Sequence, residues 1–437
     1  MHQRVRVPAW VVGLTFLGAA GIVALSLKER EAGPATLASS FRAVPGESRE
    51  LGWPSESIAL EVNEVLAGGP SATAGLQSGD RLVSIDGGAI TSECALTPSL
   101  DRLTIGHKVE VVIERRGGRK TLEIEPAAAS GLFETLCTAG DPRACRERAK
   151  SLARIEGDPL LEGACSKGDG VACRHLGDRL SEGATADLGR ARRLYGNACD
   201  EGDAAGCTRL GFLYSVGQGV ERDDTKATNL FDIACRAGDA AGCYNVGLMY
   251  ANVRGTVRND ARALLGYVRG CALGFAQACT NLGYLYEHGH GLIASAERAA
   301  KLYERACQGF ACQPADPISC TNLGVYARDG LGGVARDPSR AASLFTRACE
   351  ASQASGCTNL GRLEEDGQGV VRNITAAAEH YRRGCELGSA GGCRNVAGTI
   401  REGLVPAADD GELSRLLARA CELGDERSCR PSDGQSE

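Results

Sequence analysis

The sequence predicts a multidomain protein, with an N-terminal transmembrane helix, a small α+β domain and an all-α, disulfide-linked helical-repeat solenoid. Three observations lead to this prediction. An uncharged apolar stretch lies near the N terminus, and a segment of alternating apolar and polar residues follows it. Cysteine pairs eight positions apart then recur along the chain, with a step of 36 residues from Cys199 onward and one longer repeat. A fixed period of this length indicates a repeat array.

The composition narrows the class of protein. A chain of 437 residues is too long for one ordinary core, and 43 % hydrophobic residues are too many for a disordered tail. A net charge of −6 argues against nucleic acid as the main partner. Twenty cysteines in regular pairs favour disulfides over metal sites, and disulfides need an oxidising compartment. We therefore predict no metal and no cofactor.

The N-terminal segment, residues 1–27, contains an uncharged stretch of 20 residues from Pro8 to Leu27. This length suits one membrane-spanning helix. Two alternatives remain open: an uncleaved signal-anchor helix over residues 8–27, or a signal peptide cleaved near Ser26. In both cases the paired cysteines predict that the rest of the chain lies outside the cytoplasm, because disulfides need an oxidising compartment. Residues 28–48 are polar and contain Gly, Pro and Ser, which predicts a linker.

The segment 49–127 has the pattern of a small α+β domain. Strands are predicted at 58–65 and 81–87 from alternating apolar residues. A short helix is predicted at 96–103, where Thr97 and Pro98 form a start signal. Residues 107–126 alternate on both sides of Arg-Gly-Gly-Arg, which predicts a hairpin.

The string GPSATAGLQSGDRLVSIDGGAI resembles the core of bacterial PDZ domains. The resemblance implies that a peptide C terminus or an extended segment adds as a strand beside the second helix. It places the carboxylate-binding loop at Leu51, Gly52 and Trp53, and the groove wall at Leu100 and Leu103. The structural alternative is that the two leucines only fill the core of the domain.

The segment 131–429 consists of repeats with one helix, a glycine-rich turn and a second helix, which we call helix A and helix B; residues 430–437 form a polar tail. Glycines at fixed positions in helix A predict close packing on helix B. The pattern L-G-x-x-Y-x-x-G-x-G resembles the Sel-one-like repeat, a relative of the tetratricopeptide repeat. The paired cysteines resemble its cysteine-rich secreted branch, which includes bacterial proteins described as β-lactamase-like. The resemblance implies a tetratricopeptide-like superhelix.

In that branch each disulfide joins the end of helix B to the start of the next helix A. The same geometry fits Cys199 and Cys207, which lie on the last and first turns of consecutive predicted helices. The predicted pairs are Cys137–Cys145, Cys165–Cys173, Cys199–Cys207, Cys235–Cys243, Cys271–Cys279, Cys307–Cys320, Cys349–Cys357, Cys385–Cys393 and Cys421–Cys429. Cys94 and Cys312 are left over, and they pair with each other, pair between chains or stay free.

One asparagine recurs two residues after the second cysteine in five copies of helix A. These residues are Asn245, Asn281, Asn322, Asn359 and Asn395. A primary amide offers a donor and an acceptor side by side, which matches the backbone of an extended peptide. The row therefore predicts a peptide-binding surface on the A helices. The alternative is that each amide only bonds the backbone of a neighbouring helix.

The functional prediction is a membrane-anchored, periplasm-facing scaffold or adaptor for other proteins or peptides, without nucleic acid or catalytic residues. The bacterial resemblances place it in the inner membrane as a single-pass protein, or make it secreted if the helix is cleaved. One alternative is a β-lactamase-like hydrolase, but the chain contains no S-x-x-K motif for a serine enzyme of this kind. Another is an assembly factor for a secretion or envelope machine.

Overall fold

A computed structural model shows the architecture of the chain. The residues it describes are 5–6, 23–24, 41–48, 53–62, 75, 77, 80–85, 87–89, 109–116, 118–124, 127–128, 137–138, 142–150, 152–183, 186–257, 259–310 and 314–429. They belong to two compact units, Met1–Gly274 and Phe275–Glu437, which we call unit 1 and unit 2.

Unit 1 begins with antiparallel strands. They are β1 (Val5–Arg6), β2 (Val23–Ala24), β3 (Phe41–Ser48), β4 (Trp53–Val62), β5 (Arg81–Ile85), β6 (Gly88–Ala89), β7 (Val109–Arg115), β8 (Gly118–Ile124) and β9 (Ala127–Ala128). The main sheet has the order β1-β3-β4-β5-β7-β8, with β6 paired to β5, and β2 pairs with β9 in a separate ladder.

The hairpin of β7 and β8 forms where the alternation predicts it. Val111, Ile113 and Leu122 are buried, whereas Glu110 and Glu123 on the same two strands are exposed. Successive side chains of a strand point to opposite faces, so this pattern places one face of the hairpin in a core.

Strand β3 differs from the predicted domain boundary, which placed residues 28–48 in a linker. Phe41–Ser48 pairs with β4 over its whole length, with Phe41 opposite Val62 and Ser48 opposite Trp53. The sequence of β3 contains Pro45 and Gly46, which lower strand propensity. Residues 41–48 form a strand because β4 supplies backbone hydrogen-bond partners, and the local sequence does not reveal this pairing.

The predicted membrane-spanning segment, residues 8–27, lies outside the described residues except for Val23–Ala24. These two residues form β2, opposite Ala128 and Ala127, and are extended rather than helical. None of the described helices is long and apolar enough to cross a membrane. The predicted helix at 96–103, the tail at 430–437, Cys94 and Cys312 also lie outside the described residues.

The rest of the chain is helical. The helices are α1 (Pro142–Lys150), α2 (Arg154–Ser166), α3 (Gly170–Ser181), α4 (Leu188–Asp200), α5 (Ala204–Val216), α6 (Asp224–Arg236), α7 (Ala240–Ala251), α8 (Asp260–Ala272), α9 (Ala276–His288), α10 (Ala296–Gln308), α11 (Pro317–Asp329), α12 (Pro338–Glu350), α13 (Ala354–Asp366), α14 (Ile374–Glu386), α15 (Ala390–Arg401) and α16 (Glu412–Glu422). Odd numbers are A helices and even numbers are B helices, and α8 ends unit 1.

Local signals set the ends of these helices. Helix α5 ends at Gly217, which has a left-handed φ of +74°, a conformation that glycine adopts without steric cost. Helix α6 begins after Asp223, whose carboxylate accepts a hydrogen bond from the backbone N–H of Lys226. Glycine directly after a helix and aspartate directly before one are such local signals.

Disulfides follow the array, as the sequence predicts. Eight bonds hold Cα atoms 4.4 to 4.7 Å apart, and in the helical pairs they join the last turn of a B helix to the first turn of the next A helix. They are Cys137–Cys145, Cys165–Cys173, Cys199–Cys207, Cys235–Cys243, Cys307–Cys320, Cys349–Cys357, Cys385–Cys393 and Cys421–Cys429. Cys271 and Cys279 are also disulfide-bonded, and no described cysteine is free.

Six A helices, α3 to α13, pack on the B helices that follow them through a glycine and an aromatic ring. A Cβ atom on any of six glycines would lie 2.5 to 2.8 Å from a ring carbon, so only glycine fits there. The pairs are Gly177–Tyr195, Gly211–Phe231, Gly247–Tyr267, Gly283–Tyr303, Gly324–Phe345 and Gly361–Tyr381. The rings are at most 3 % exposed and form the core of the repeats.

Candidate functional site

Polar contacts connect successive A helices. In five repeats the residue that follows the second cysteine hydrogen-bonds a polar residue of the next repeat, and in four of these pairs that residue caps the next A helix. These pairs are Arg174–Asp203, Thr208–Asp239, Thr280–Asp316, Thr358–Ser389 and Arg394–Asp425, at 2.6 to 2.9 Å. These contacts tie α3 to α5, α5 to α7, α9 to α11 and α13 to α15, so the surface between the two helices of each of these pairs is preformed.

The five asparagines of the predicted row lie on α7, α9, α11, α13 and α15, and each is half-buried. Their surroundings differ. Asn322 lies beside the hydroxyl of Tyr303, which donates a hydrogen bond of 2.6 Å to Glu287. The Tyr303 ring is buried in the repeat core. The side chain of Asn322 therefore lies against the core of the repeat.

Asn395 has a different environment, because it lines a groove of about 430 Å³ in unit 2. The groove lies between α13 and α15. Its lining residues are Thr358, Arg362, Glu365, Gly391, Arg394, Asn395, Gly398, Thr399 and Glu402. Its size lies within the range of about 300–1,000 Å³ that is usual for ligand sites.

Several lining side chains are held in place by partners outside the groove. The Glu365 carboxylate accepts a hydrogen bond of 2.6 Å from the Tyr381 hydroxyl. Burial, and then the contact with Glu365, raise the pKa of Tyr381, so the phenol remains a donor. Arg362 and Glu402 are exposed at the groove. The groove thus presents a cation, an anion and an amide, which together match the N–H and C=O groups of an extended peptide.

Of the five residues predicted to bind a peptide in the PDZ domain, only Trp53 lies among the described residues. Trp53 is the first residue of β4 and lies opposite Ser48, the last residue of β3. Leu51, Gly52, Leu100 and Leu103 lie outside the described residues.

An ion pair joins the buried carboxylate of the Gly-Asp motif, Asp80, to the partly exposed Arg115. The Asp80 side chain is 1 % exposed and accepts two hydrogen bonds of 2.6 Å from the Arg115 guanidinium. Arg115 also donates to the Gly75 carbonyl at 2.8 Å. The contact with Asp80 raises the pKa of Arg115. The two residues are 35 positions apart, so no local pattern in the sequence reveals this pair.

His175 occupies the asparagine position in α3. Burial and then the nearby Arg174, Lys150, Arg146 and Arg179 lower the pKa of His175 to about 3. The ring is therefore neutral in the folded protein. Among the described residues, no group of three or more His, Cys, Asp or Glu side chains is arranged to hold a metal.

We expect His175 to make folding pH-dependent. Its folded pKa of about 3 lies below the unfolded value of 6.5, so the unfolded chain binds an extra proton between these two values. Stability should fall as the pH falls below 6.5, by about 2 kcal/mol at pH 5. Urea denaturation at pH 8 and 5 measures this loss. His175→Gln should remove this part of the pH dependence, whereas the control His288→Gln, at an exposed ring, should keep it. An unchanged profile in His175→Gln would contradict the assignment.

Comparisons with known proteins agree with this architecture. The profile described as PDZ domain matches residues 41–125 and so includes β3. The profile described as Sel1 repeat matches six segments: 170–203, 204–239, 240–267, 276–309, 317–352 and 354–389. No curated protein matches the chain.

Two solved structures have a similar fold. One is a protective antigen present in uropathogenic Escherichia coli strains that displays an SLR fold; it is 22 % identical, with a TM-score of 0.56 over 68 % of this chain and 65 % of that one. The other is a Sel1 repeat protein from Oxalobacter formigenes, 21 % identical, with a TM-score of 0.51 over 60 % of this chain and 99 % of that one. The chain thus has one segment that matches a PDZ domain and, after it, six segments that match Sel1 repeats and lie in an all-helical, disulfide-linked repeat solenoid.

Proposed function

We propose that the protein is a membrane-anchored, periplasm-facing scaffold that binds segments of other proteins. The groove between α13 and α15 is the observation that carries this proposal, because it is preformed and offers both donors and acceptors. PDZ domains and Sel1 repeats generally mediate protein–protein binding. Two binding modules on one chain raise the affinity for a partner that reaches both.

In this proposal an extended peptide lies in the groove. Asn395 bonds one peptide group of the ligand through its amide oxygen and nitrogen. Arg362 and Glu402 bind polar groups on either side of it. Gly391 and Gly398 lack side chains, and a Cβ on Gly398 would meet no atom within 4 Å, so the groove remains open at this position. The PDZ segment binds a second peptide by strand addition.

The proposed location rests on the disulfides and on the N-terminal sequence. Disulfides along the array favour an oxidising, extracytoplasmic environment. Residues 8–27 are uncharged and long enough to serve as the anchor.

A photo-crosslinking experiment in intact cells tests both parts of the proposal. A photoreactive amino acid at position 395 should give discrete adducts in the membrane fraction, whereas the same group at Glu379, an exposed position of α14 outside the groove, should not. Adducts at both positions would argue against the groove, and adducts confined to the cytosolic fraction would argue against the anchor.

The segment identified in the adduct then serves as a labelled peptide. Its binding to the purified protein should weaken about tenfold on Asn395→Ala, because one partner of a bidentate amide contact is lost. The matched change Glu379→Ala should leave binding unchanged. Equal affinities for both variants would refute the role of Asn395.

A further inference from the structure

A second concave site lies in unit 1, between the B helices α4 and α6. Its volume is about 590 Å³. Leu194 and Leu230 contribute to its walls, and Leu210 and Tyr214 of the intervening helix α5 form its floor. These four side chains are 6 to 9 % exposed, so the bottom of the pocket is packed and largely apolar.

Basic side chains surround this floor. Arg190, Arg192 and Arg193 extend from α4, and Lys226 extends from α6. Arg190 forms a salt bridge with Glu162 at 2.5 Å. No carboxylate among the described residues forms a salt bridge with Arg192, Arg193 or Lys226. The pocket therefore has three cations without an anionic partner, against one acidic lining residue, Asp200.

Two of these cations meet at one phenol. The Lys226 ammonium donates a hydrogen bond of 2.8 Å to the Tyr214 hydroxyl and lies 4.3 Å from the ring centroid. Hydrogen bonds from Lys226 and then Arg192 lower the pKa of Tyr214. The hydrogen bond orients the Lys226 ammonium, and the excess of cationic over acidic lining residues makes the pocket attract anions.

A comparison with the next repeat shows which of these contacts recur in the array and which are specific to this pocket. Arg262 of α8 repeats the contact of Lys226, because it donates a hydrogen bond of 2.5 Å to the Tyr250 hydroxyl. In contrast, the positions 36 residues after Arg192 and Arg193 hold Thr228 and Asn229. The cation–phenol contact thus recurs in the array, whereas the arginine pair does not.

We propose that the pocket between α4 and α6 binds an acidic peptide segment of a partner protein, with carboxylates at Arg193 and Lys226 and an apolar side chain on the leucine floor. The apolar floor favours a peptide over inorganic phosphate, because phosphate leaves this surface exposed to water. Asn197 and Asp200 at the end of α4 provide acceptors for peptide N–H groups. This site is distinct from the groove at Asn395.

Fluorescence anisotropy with the full chain in mild detergent tests the proposal. The probe is a fluorescein-labelled peptide of alternating Glu and Leu, and the matched probe has Gln in place of Glu. The Glu peptide should bind at least about tenfold more tightly, and its binding should weaken several-fold between about 50 and 300 mM NaCl. Equal binding of both peptides would overturn the proposal.

Variants locate the binding. The double variant Arg193→Gln, Lys226→Gln should lose about tenfold in affinity for the Glu peptide. Arg262→Gln is the matched control, since it removes the same kind of cation–phenol contact without the arginine pair, and it should bind like the wild type. Loss in both variants, or in neither, would contradict the site. Displacement of the peptide by inorganic phosphate at low millimolar concentration would show a small-anion site instead and overturn the peptide assignment.

Discussion

Replacing Cys199 and Cys207 together by alanine should lower the free energy of unfolding by about 2.5 kcal/mol. The bond links residues eight positions apart and so restricts a loop of about nine residues in the unfolded chain. The loss of loop-closure entropy gives this magnitude. Guanidinium denaturation followed by circular dichroism, with all other disulfides intact, measures the change.

The double change Cys307→Ala, Cys320→Ala is the matched comparison. It opens a longer loop, because these residues are 13 positions apart. The loop-entropy relation then predicts a loss of about 3 kcal/mol, only slightly larger than the first. A loss below about 0.5 kcal/mol in both variants would show that the bonds do not act by restricting the unfolded state.

Substituting Gly247 by alanine should destabilise the array by about 1–3 kcal/mol. The new Cβ would lie 2.5 Å from Cε1 and 2.6 Å from Cδ1 of Tyr267. That ring is 3 % exposed and packed between helices, so it has little space in which to move. Thermal and denaturant unfolding of the variant measure the effect.

Gly163→Ala is the control with the opposite expected sign. Gly163 lies in the exposed part of α2, and a Cβ there would meet no atom within 4 Å. Alanine should therefore raise stability by about 0.5–1 kcal/mol, because it has the higher helix propensity. If both glycine variants were stabilised, close packing between helices A and B would not explain the glycine at position 247.

The repeat architecture was predictable because its signals are local. The cysteine spacing, the aspartate at Asp223 and the glycine at Gly217 each act within a few residues of the helix ends they set. The glycine positions in helix A also predicted close packing, which the contact between Gly247 and Tyr267 shows at atomic detail.

The candidate sites were less predictable. The asparagine row was visible in the sequence, yet Asn322 lies beside a core tyrosine whereas Asn395 lines a groove. The run Arg190-Ala-Arg-Arg was also visible, but nothing in the sequence showed that Lys226, 33 residues beyond Arg193, lies at the same pocket. Periodicity identifies equivalent positions, but it does not show which of them face open space.

The sequence by itself determined the helical repeats, the helix ends and the presence of disulfides, because short-range spacing and capping control them. Only the tertiary structure decided the pairing of β3 with β4, the ion pair of Asp80 with Arg115 and the two concave sites. Each of these depends on contacts between residues far apart in the chain, and the geometry of such contacts follows from how whole elements pack.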